Sequence, residues 1–413
     1  MKEYLVGIDV ASSKVCAALG RKLDDGNFQL VGVTSVKSDA VSKAVVRDIE
    51  ATTEAIKNCV SKLEVKTNRP VENVVLSFPG GLCELTNAKG TLEIGAKDRK
   101  ITEEDTIQVL KLAKRDFWSE GKEIIGVIPK SYIIDSKTTV VNPIGMLGSR
   151  LEVHAEIVVS QTKPIFDLLL SMEHAGIVPE EVMIQPVALS TLLQKDEMRG
   201  YSVLIDIGAE TADLCIYKSG NVCYTKLIPF GGSNITSDIS KCLKISFEDA
   251  EKIKINYGDM GYKLEESEFK SQNITIKVED KDTEIVNSYD LNEIISARIE
   301  EILKFILDEL KTSSYYEYIE LIVVTGGGFS LFNNINKLFE DILNKPVRIA
   351  LPEMDKVTNT SNTVAMSIIK NKMNSYKLEN NLEKRKEEVK EDSKKTKNKK
   401  FGWRITEFLD EFF

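Results

Sequence analysis

Tyr4-Leu5-Val6-Gly7-Ile8-Asp9-Val10-Ala11-Ser12-Ser13-Lys14 and Val203-Leu204-Ile205-Asp206-Ile207-Gly208-Ala209-Glu210-Thr211 are built alike. Each is a short apolar run, as expected of a buried strand, that stops abruptly at an aspartate followed by small and hydroxyl residues. A third run, Leu321-Ile322-Val323-Val324-Thr325, stops in Gly326-Gly327-Gly328. The echo between the first two predicts two similar halves facing each other. A turn of small residues lets backbone N–H groups approach phosphate oxygens, and an aspartate beside it holds a cation through water. Two such turns and a glycine run therefore predict a nucleotide held between two domains.

Working outward, residues 1–83 read as strands over Leu5–Val10, Val15–Leu19, Phe28–Val33 and Val74–Phe78 with a helix over Ile49–Leu63. Residues 84–162 change texture and read as an inserted small α/β subdomain. Thr102-Glu103-Glu104-Asp105 caps a helix over Ile107–Phe117, and strands follow at Ile124–Ile128, Tyr132–Ile134 and Leu151–Ser160. Residues 163–200 return to the first half as two helices around Val182–Ile184. The second half spans 201–370, with a smaller subdomain at 230–305. It holds helices over Ser246–Tyr257 and Leu291–Leu310, a strand at Ile274–Val278 and a closing helix at Thr363–Lys370. Strands alternating with helices in two halves predict an α/β architecture with mixed sheets.

Composition narrows the function. The chain of 413 residues is too long for one ordinary domain. A formal charge of -9 argues against a nucleic-acid partner. Cys16, Cys59, Cys83, Cys215, Cys223 and Cys242 are scattered, so they read as reduced thiols rather than a disulfide framework. His154 and His174 leave little for a histidine metal site and read as structural. No apolar run approaches the ~20 residues that span a bilayer. The chain passes from Lys2 straight into a strand with no signal-peptide core, which predicts a cytoplasmic protein.

The end differs. Residues 371–400 are charged and polar, ending in Lys394-Lys395-Thr396-Lys397-Asn398-Lys399-Lys400, and read as a disordered linker. A flexible coil of about 30 residues reaches roughly 30 Å. Over 401–413, Phe401, Ile405, Phe408, Leu409 and Phe412 fall on one stripe of a helix, with Arg404, Glu407, Asp410 and Glu411 opposite. Trp403 lies off the stripe, suited to anchoring the helix start at headgroup level. Such a helix either docks on its own core, enters a partner's groove or lies in a membrane interface. The long charged tether favours the membrane. The flanking lysines would each add about 1 kcal/mol against an anionic leaflet.

Three further stretches carry a resemblance: Asn142-Pro143-Ile144-Gly145-Met146 followed by Arg150-Leu151-Glu152-Val153; Pro229-Phe230-Gly231-Gly232 running into Thr236-Ser237-Asp238-Ile239; and Ala250-Glu251-Lys252-Ile253-Lys254. With the apolar runs above, they resemble the actin-like ATPase superfamily, its two phosphate loops and its adenosine loop. Over essentially its whole length the chain resembles the FtsA family of bacterial cell-division proteins. That resemblance implies an actin-like two-half fold, ATP with Mg2+ in the central cleft, and head-to-tail filaments. It also implies docking of the FtsZ C-terminal tail, contact with other division proteins, and attachment to the cytoplasmic face of the membrane at the division septum.

The resemblance also assigns roles. Asp9 and Asp206 would orient water-bound magnesium, and Gln185 falls where a water-orienting residue sits. Ala11, Ser12, Ser13 and Lys14 form the first phosphate loop, and Gly208, Ala209, Glu210 and Thr211 the second. Lys14 is otherwise a solvated loop lysine. Gly231, Gly232, Gly326, Gly327 and Gly328 would let backbone pass close to the nucleotide. Phe329 lines the base pocket or belongs to the core. Glu251 and Lys254 suit the ribose or are surface residues. Arg298 matches the arginine on the FtsZ-facing helix or is a solvated helix arginine.

Ala209 and Glu210 replace two glycines of the usual second loop, and Ala11 replaces one in the first. A carboxylate beside a terminal phosphate repels it unless a cation intervenes. These departures favour nucleotide binding with slow or no hydrolysis. A small-molecule kinase of the superfamily would need a further carboxylate to activate its acceptor, and none stands out. A type IV pilus-assembly adaptor shares the ATPase body, but Gly145–Val153 and the terminal segment favour division.

Overall fold

The protein is described here from a computed structural model that covers residues 3–23, 28–95, 99–115, 117–258, 273–278, 281–329, 332, 335–351 and 362–372. The first half opens with β1 (Tyr4–Val10), β2 (Lys14–Lys22) and β3 (Phe28–Lys37), a short hairpin of β4 (Val41–Ser42) and β5 (Val45–Val46), then α1 (Ile49–Thr67) and β6 (Val74–Phe78). Asp48 caps α1 by accepting the Ala51 N–H at 2.9 Å, and left-handed Asn68 ends it. The insert follows as β7 (Cys83–Glu93), α2 (Glu103–Arg115), β8 (Lys122–Ile134), β9 (Thr138–Val140) and β10 (Arg150–Gln161). The chain then returns through α3 (Thr162–His174), β11 (Glu181–Ile184) and α4 (Gln185–Leu189).

The second half contains β12 (Tyr201–Ile207), β13 (Ala212–Lys218), β14 (Asn221–Ile228), α5 (Gly232–Leu243), α6 (Phe247–Tyr257), β15 (Asn273–Val278) and β16 (Lys281–Asn287). It continues with α7 (Ser288–Thr312), β17 (Ile319–Thr325), α8 (Ile335–Leu343), β18 (Val347–Ile349) and α9 (363–372). Its main sheet runs β14-β13-β12-β17-β18, and that of the first half runs β11-β6-β1-β2-β3. In both, a β-hairpin pairs antiparallel at the centre and the next strand adds in parallel, so the internal echo in sequence is an echo in topology. β1 and β12 are covered on both faces, which is why they read as unbroken apolar runs.

Two details differ from the sequence reading. Ile124–Ile128 and Tyr132–Ile134 form one strand, β8, because a bulge at Lys130 against β10 accommodates Pro129, which has no N–H for the ladder. The closing helix α9 is shared: Ala365, Ile368 and Ile369 pack with Leu5, Cys16 and Ala18 on the sheet of the first half, and Val364 packs with Leu204 and Val323 of the second. In exchange, Leu189, Leu192 and Leu193 of the first half's return segment pack under Leu204 and Val323 of the second. Each half therefore lends the other a piece of its core.

The halves also meet at Pro79-Gly80-Gly81, where Gly81 donates its N–H to Asp213 at 2.9 Å. A Cβ on Gly81 would lie 2.2 Å from the Leu227 backbone nitrogen, so this seam admits only glycine. Tyr217 closes it from the side by donating to the Pro186 carbonyl at 2.6 Å. Residues 371–372 of the expected linker belong to α9, while 373–400 and the terminal segment, with Phe401, Trp403, Ile405, Phe408, Leu409 and Phe412, lie outside the described residues. Among those described, no helix is long and apolar enough to cross a membrane.

Candidate functional site

Three turns converge where β1, β12 and β17 end. In the second half, Gly208 donates to Thr211 O at 2.8 Å, closing the turn after Asp206. Gly232 then donates to Gly208 O at 3.0 Å, Ser233 to Ala209 O at 2.7 Å and Gly328 to Ile207 O at 2.8 Å. The turn after β12 thus lies between the start of α5 and the glycine run after β17, joined backbone to backbone. A Cβ on Gly232 would stand 2.7 Å from Gly328 O, so the approach depends on that glycine. In the first half, Ala11 donates to Lys14 O at 2.9 Å, turning the chain between β1 and β2.

Three carboxylates line the floor. Asp9, at the end of β1, accepts from Ser77 at 2.5 Å and from Gln185 Nε2 at 3.1 Å, both through Oδ1. The Gln185 amide is thereby committed to Asp9. Burial raises the Asp9 carboxyl above its usual range, against the opposing pull of Ser77, Gln185 and Lys14. Burial, reinforced by the Asp9 charge, lifts Asp206 to about 7. Asp213, in register opposite Asp206 on β13, is also lifted to about 7 by burial and by Asp206. Its Oδ1 is held by Gly81, while its buried Oδ2 has no hydrogen-bond partner among the described residues. Thr325 Oγ1, in register with Asp206 on the other side, is orphaned in the same way.

Carboxylates brought together in this way, with neighbouring buried oxygens left unpartnered, fit a hydrated cation and a polar ligand. No cluster of three or more metal-ligating side chains is preformed among the described residues, so the cation would be held through water and phosphate oxygens.

Glu210 points away from this floor. Its Oε2 accepts the Lys43 N–H of the first half at 2.8 Å. Beside it, Ala44 N–H reaches Ser12 Oγ at 3.4 Å. Lys254 is buried and donates to Gly232 O at 3.1 Å, Thr236 Oγ1 at 2.9 Å and Glu251 at 2.7 Å. Glu251 also accepts from Thr236. The Glu251–Lys254 pair therefore braces the start of α5 from behind, and burial lowers the Lys254 pKa. Phe329 is 2% exposed and packs on Phe339, in the core of the second half. Arg298, on α7, is engaged by Asp238 of α5, at 3.0 Å through Nη2, and by Glu301.

Sequence reasoning missed Asp213, Ser77 and the Lys43–Ala44 turn. Asp213 and Ser77 were visible as lone polar residues in otherwise apolar strands. Lys43 and Ala44 left no trace, because a two-residue hairpin turn with positive φ is normally marked by Asn or Gly.

The comparisons with known proteins point one way. The family model described as "Cell division protein FtsA" matches residues 203–367, and that of the "SHS2 domain inserted in FTSA" matches 80–159. The Cell division protein FtsA of Borreliella burgdorferi is 31% identical over 352 residues, covering 85% of either chain. That of Neisseria meningitidis is 31% identical over 355 residues, covering 85% of this chain and 84% of its own. Among solved structures, a chain of the "PilM-PilN type IV pilus biogenesis complex" superposes with a TM-score of 0.61 at 15% identity, over 89% of this chain and 98% of its own. MreB 5 of Spiroplasma citri bound to AMPPNP gives 0.51 at 17% identity, over 93% and 99%. The two structural likenesses speak for an actin-like fold alone.

Proposed function

The chain belongs to the FtsA family of cell-division proteins, and on that premise we propose that it binds ATP with Mg2+ between its halves, polymerises, and ties FtsZ filaments to the cytoplasmic face of the membrane at the septum. The observation that carries the nucleotide part is the backbone-to-backbone meeting of the Gly208, Gly232 and Gly328 turns above Asp9, Asp206 and Asp213. When bound, Mg2+ neutralises charge between carboxylates and phosphates; Asp9 and Asp206 are the residues to hold it through water. Lys14 stands close enough to favour the ionised form of both. MreB 5 of Spiroplasma citri, which shares the fold, is bound to AMPPNP, and that supports nucleotide binding in this reading.

Turnover is slow or absent in this reading. Gln185 is engaged by Asp9, and Glu210 adds a carboxylate beside the second loop. For the partner, Arg298 lies on α7 with its guanidinium shared between Asp238 and Glu301, and an acidic peptide tail would compete for it as another carboxylate. The alternatives of a pilus-assembly adaptor and a small-molecule kinase rest on likeness of fold alone.

The test is direct binding. Calorimetry of the purified chain with Mg2+ and AMPPNP should give saturable one-site binding that Asp206→Asn weakens at least tenfold. No heat with any adenine nucleotide rejects the reading. For the partner, Arg298→Glu should weaken an FtsZ tail peptide several-fold, and equal affinity removes that residue from the interface.

A further inference from the structure

Glu210 stands where the second phosphate loop would otherwise offer small residues, and its carboxylate is not loose. It crosses to the other half and accepts the Lys43 N–H at 2.8 Å. The neighbouring Ala44 N–H reaches Ser12 Oγ of the first phosphate loop at 3.4 Å. Lys43 and Ala44 are the two-residue turn between β4 and β5, at φ 49° and 65°. Both central residues of a tight two-residue hairpin turn take this left-handed conformation, which fixes the direction of their N–H groups. The turn therefore holds two successive backbone N–H groups at the mouth of the cleft, one over each phosphate loop.

Resting on the nucleotide reading above, we propose that the Glu210 carboxylate competes with the terminal phosphate of the nucleotide for the Lys43 N–H, and so sets the balance between triphosphate and diphosphate binding. A carboxylate and a phosphate are the same kind of acceptor for backbone N–H groups, anionic oxygens that form short charge-assisted bonds. Both cannot occupy one donor at the junction of the two loops. The side chain is half-buried and turns about its own side-chain bonds, so it swings aside without unpacking a core. An anion held at this junction penalises a triphosphate, with its extra terminal charge, more than a diphosphate. A different role, a tie that merely holds the halves together, makes the opposite prediction: removing it would weaken both nucleotides alike.

The experiment compares full-length wild type, Glu210→Ala and Glu210→Gln by calorimetry with AMPPNP and with ADP, each with Mg2+. Glu210→Ala should tighten AMPPNP about tenfold while ADP stays within about twofold. Glu210→Gln should lie between, since its amide oxygen still accepts the N–H without the charge. Weaker AMPPNP binding in Glu210→Ala, or equal changes for both nucleotides, overturns the proposal. If wild type binds both nucleotides and neither substitution moves their ratio, the assignment of Glu210 falls while nucleotide binding stands. If wild type binds neither, both fall together. Should Glu210→Ala not fold, judged by its melting without nucleotide, Glu210→Gln decides by the same ratio.

Discussion

Asp206 and Asp213 stand opposite each other across the β12–β13 ladder, and only Asp213 also reaches the other half, through the Gly81 N–H. The pair thus links the floor of the cleft to the seam between halves. Replacing the buried charge of either would be felt at both.

The first prediction is a pH dependence with a definite sign. Both carboxyls are held at about 7, against 3.8 for an exposed aspartate. Between those values the folded protein binds more protons than the unfolded chain. Stability without metal or nucleotide is therefore fullest at the acid end and falls as pH rises from about 4 to 7, by at most ~1.4 kcal/mol per unit for each carboxyl. Urea midpoints at pH 5.5 and 7.5 measure it. Asp213→Asn should flatten the fall relative to wild type; an unchanged slope refutes the assignment.

Gly232→Ala should separate the start of α5 from the glycine run. The added methyl would sit 2.7 Å from Gly328 O and 2.8 Å from its Cα, both backbone atoms with little freedom to yield. Overpacking of this kind costs roughly 1–3 kcal/mol. A melting temperature lowered by several degrees, with nucleotide affinity reduced, is the expected outcome, and wild-type behaviour in both would show the contact to be soft.

Lys254→Met keeps length and apolar volume but removes three donors. Gly232 O, Thr236 and Glu251 would lose a buried cation, at a cost of roughly 2–4 kcal/mol. Glu251→Gln in the same background should recover part of it, since the carboxylate left behind is the larger penalty. Chemical denaturation of the single and double variants gives the coupling directly.

Removing residues 401–413 should abolish co-sedimentation with anionic liposomes while leaving the melting curve unchanged. Persistent pelleting would place the membrane contact elsewhere. Raising salt should weaken pelleting of the intact chain, because the lysines before Phe401 act through screened charge.

The strand ends were the legible part of the site. A buried strand closed by Asp9, Asp206 or Gly326 must break its apolar run sharply, and such a break shows in a single sequence. The paired halves were legible for the same reason. Side-chain direction was not: Glu210 looks like a phosphate-loop residue by position, and only the fold brings Lys43 within its reach. Lys254 on α6 reads from the sequence as a ribose contact or a surface residue, yet it is buried behind α5. That α9 divides its apolar residues between both sheets was hidden, because no local pattern says which sheet each of Val364, Ala365, Ile368 and Ile369 meets.

The glycine seam has a mechanical consequence. β7 starts at Cys83, two residues past Gly81, and β10 runs without a break from Gln161 into Thr162 of α3, so the insert is bolted to the first half at both ends with no slack. Its root also touches the second half, where Thr225 donates to the Cys83 carbonyl at 3.3 Å. At ~3.3 Å per residue, the 11 residues of β7 extend ~36 Å, so a swing of about 10° carries the far end some ~6 Å. A partner gripping that far end would feel a change in the angle between the halves as a displacement.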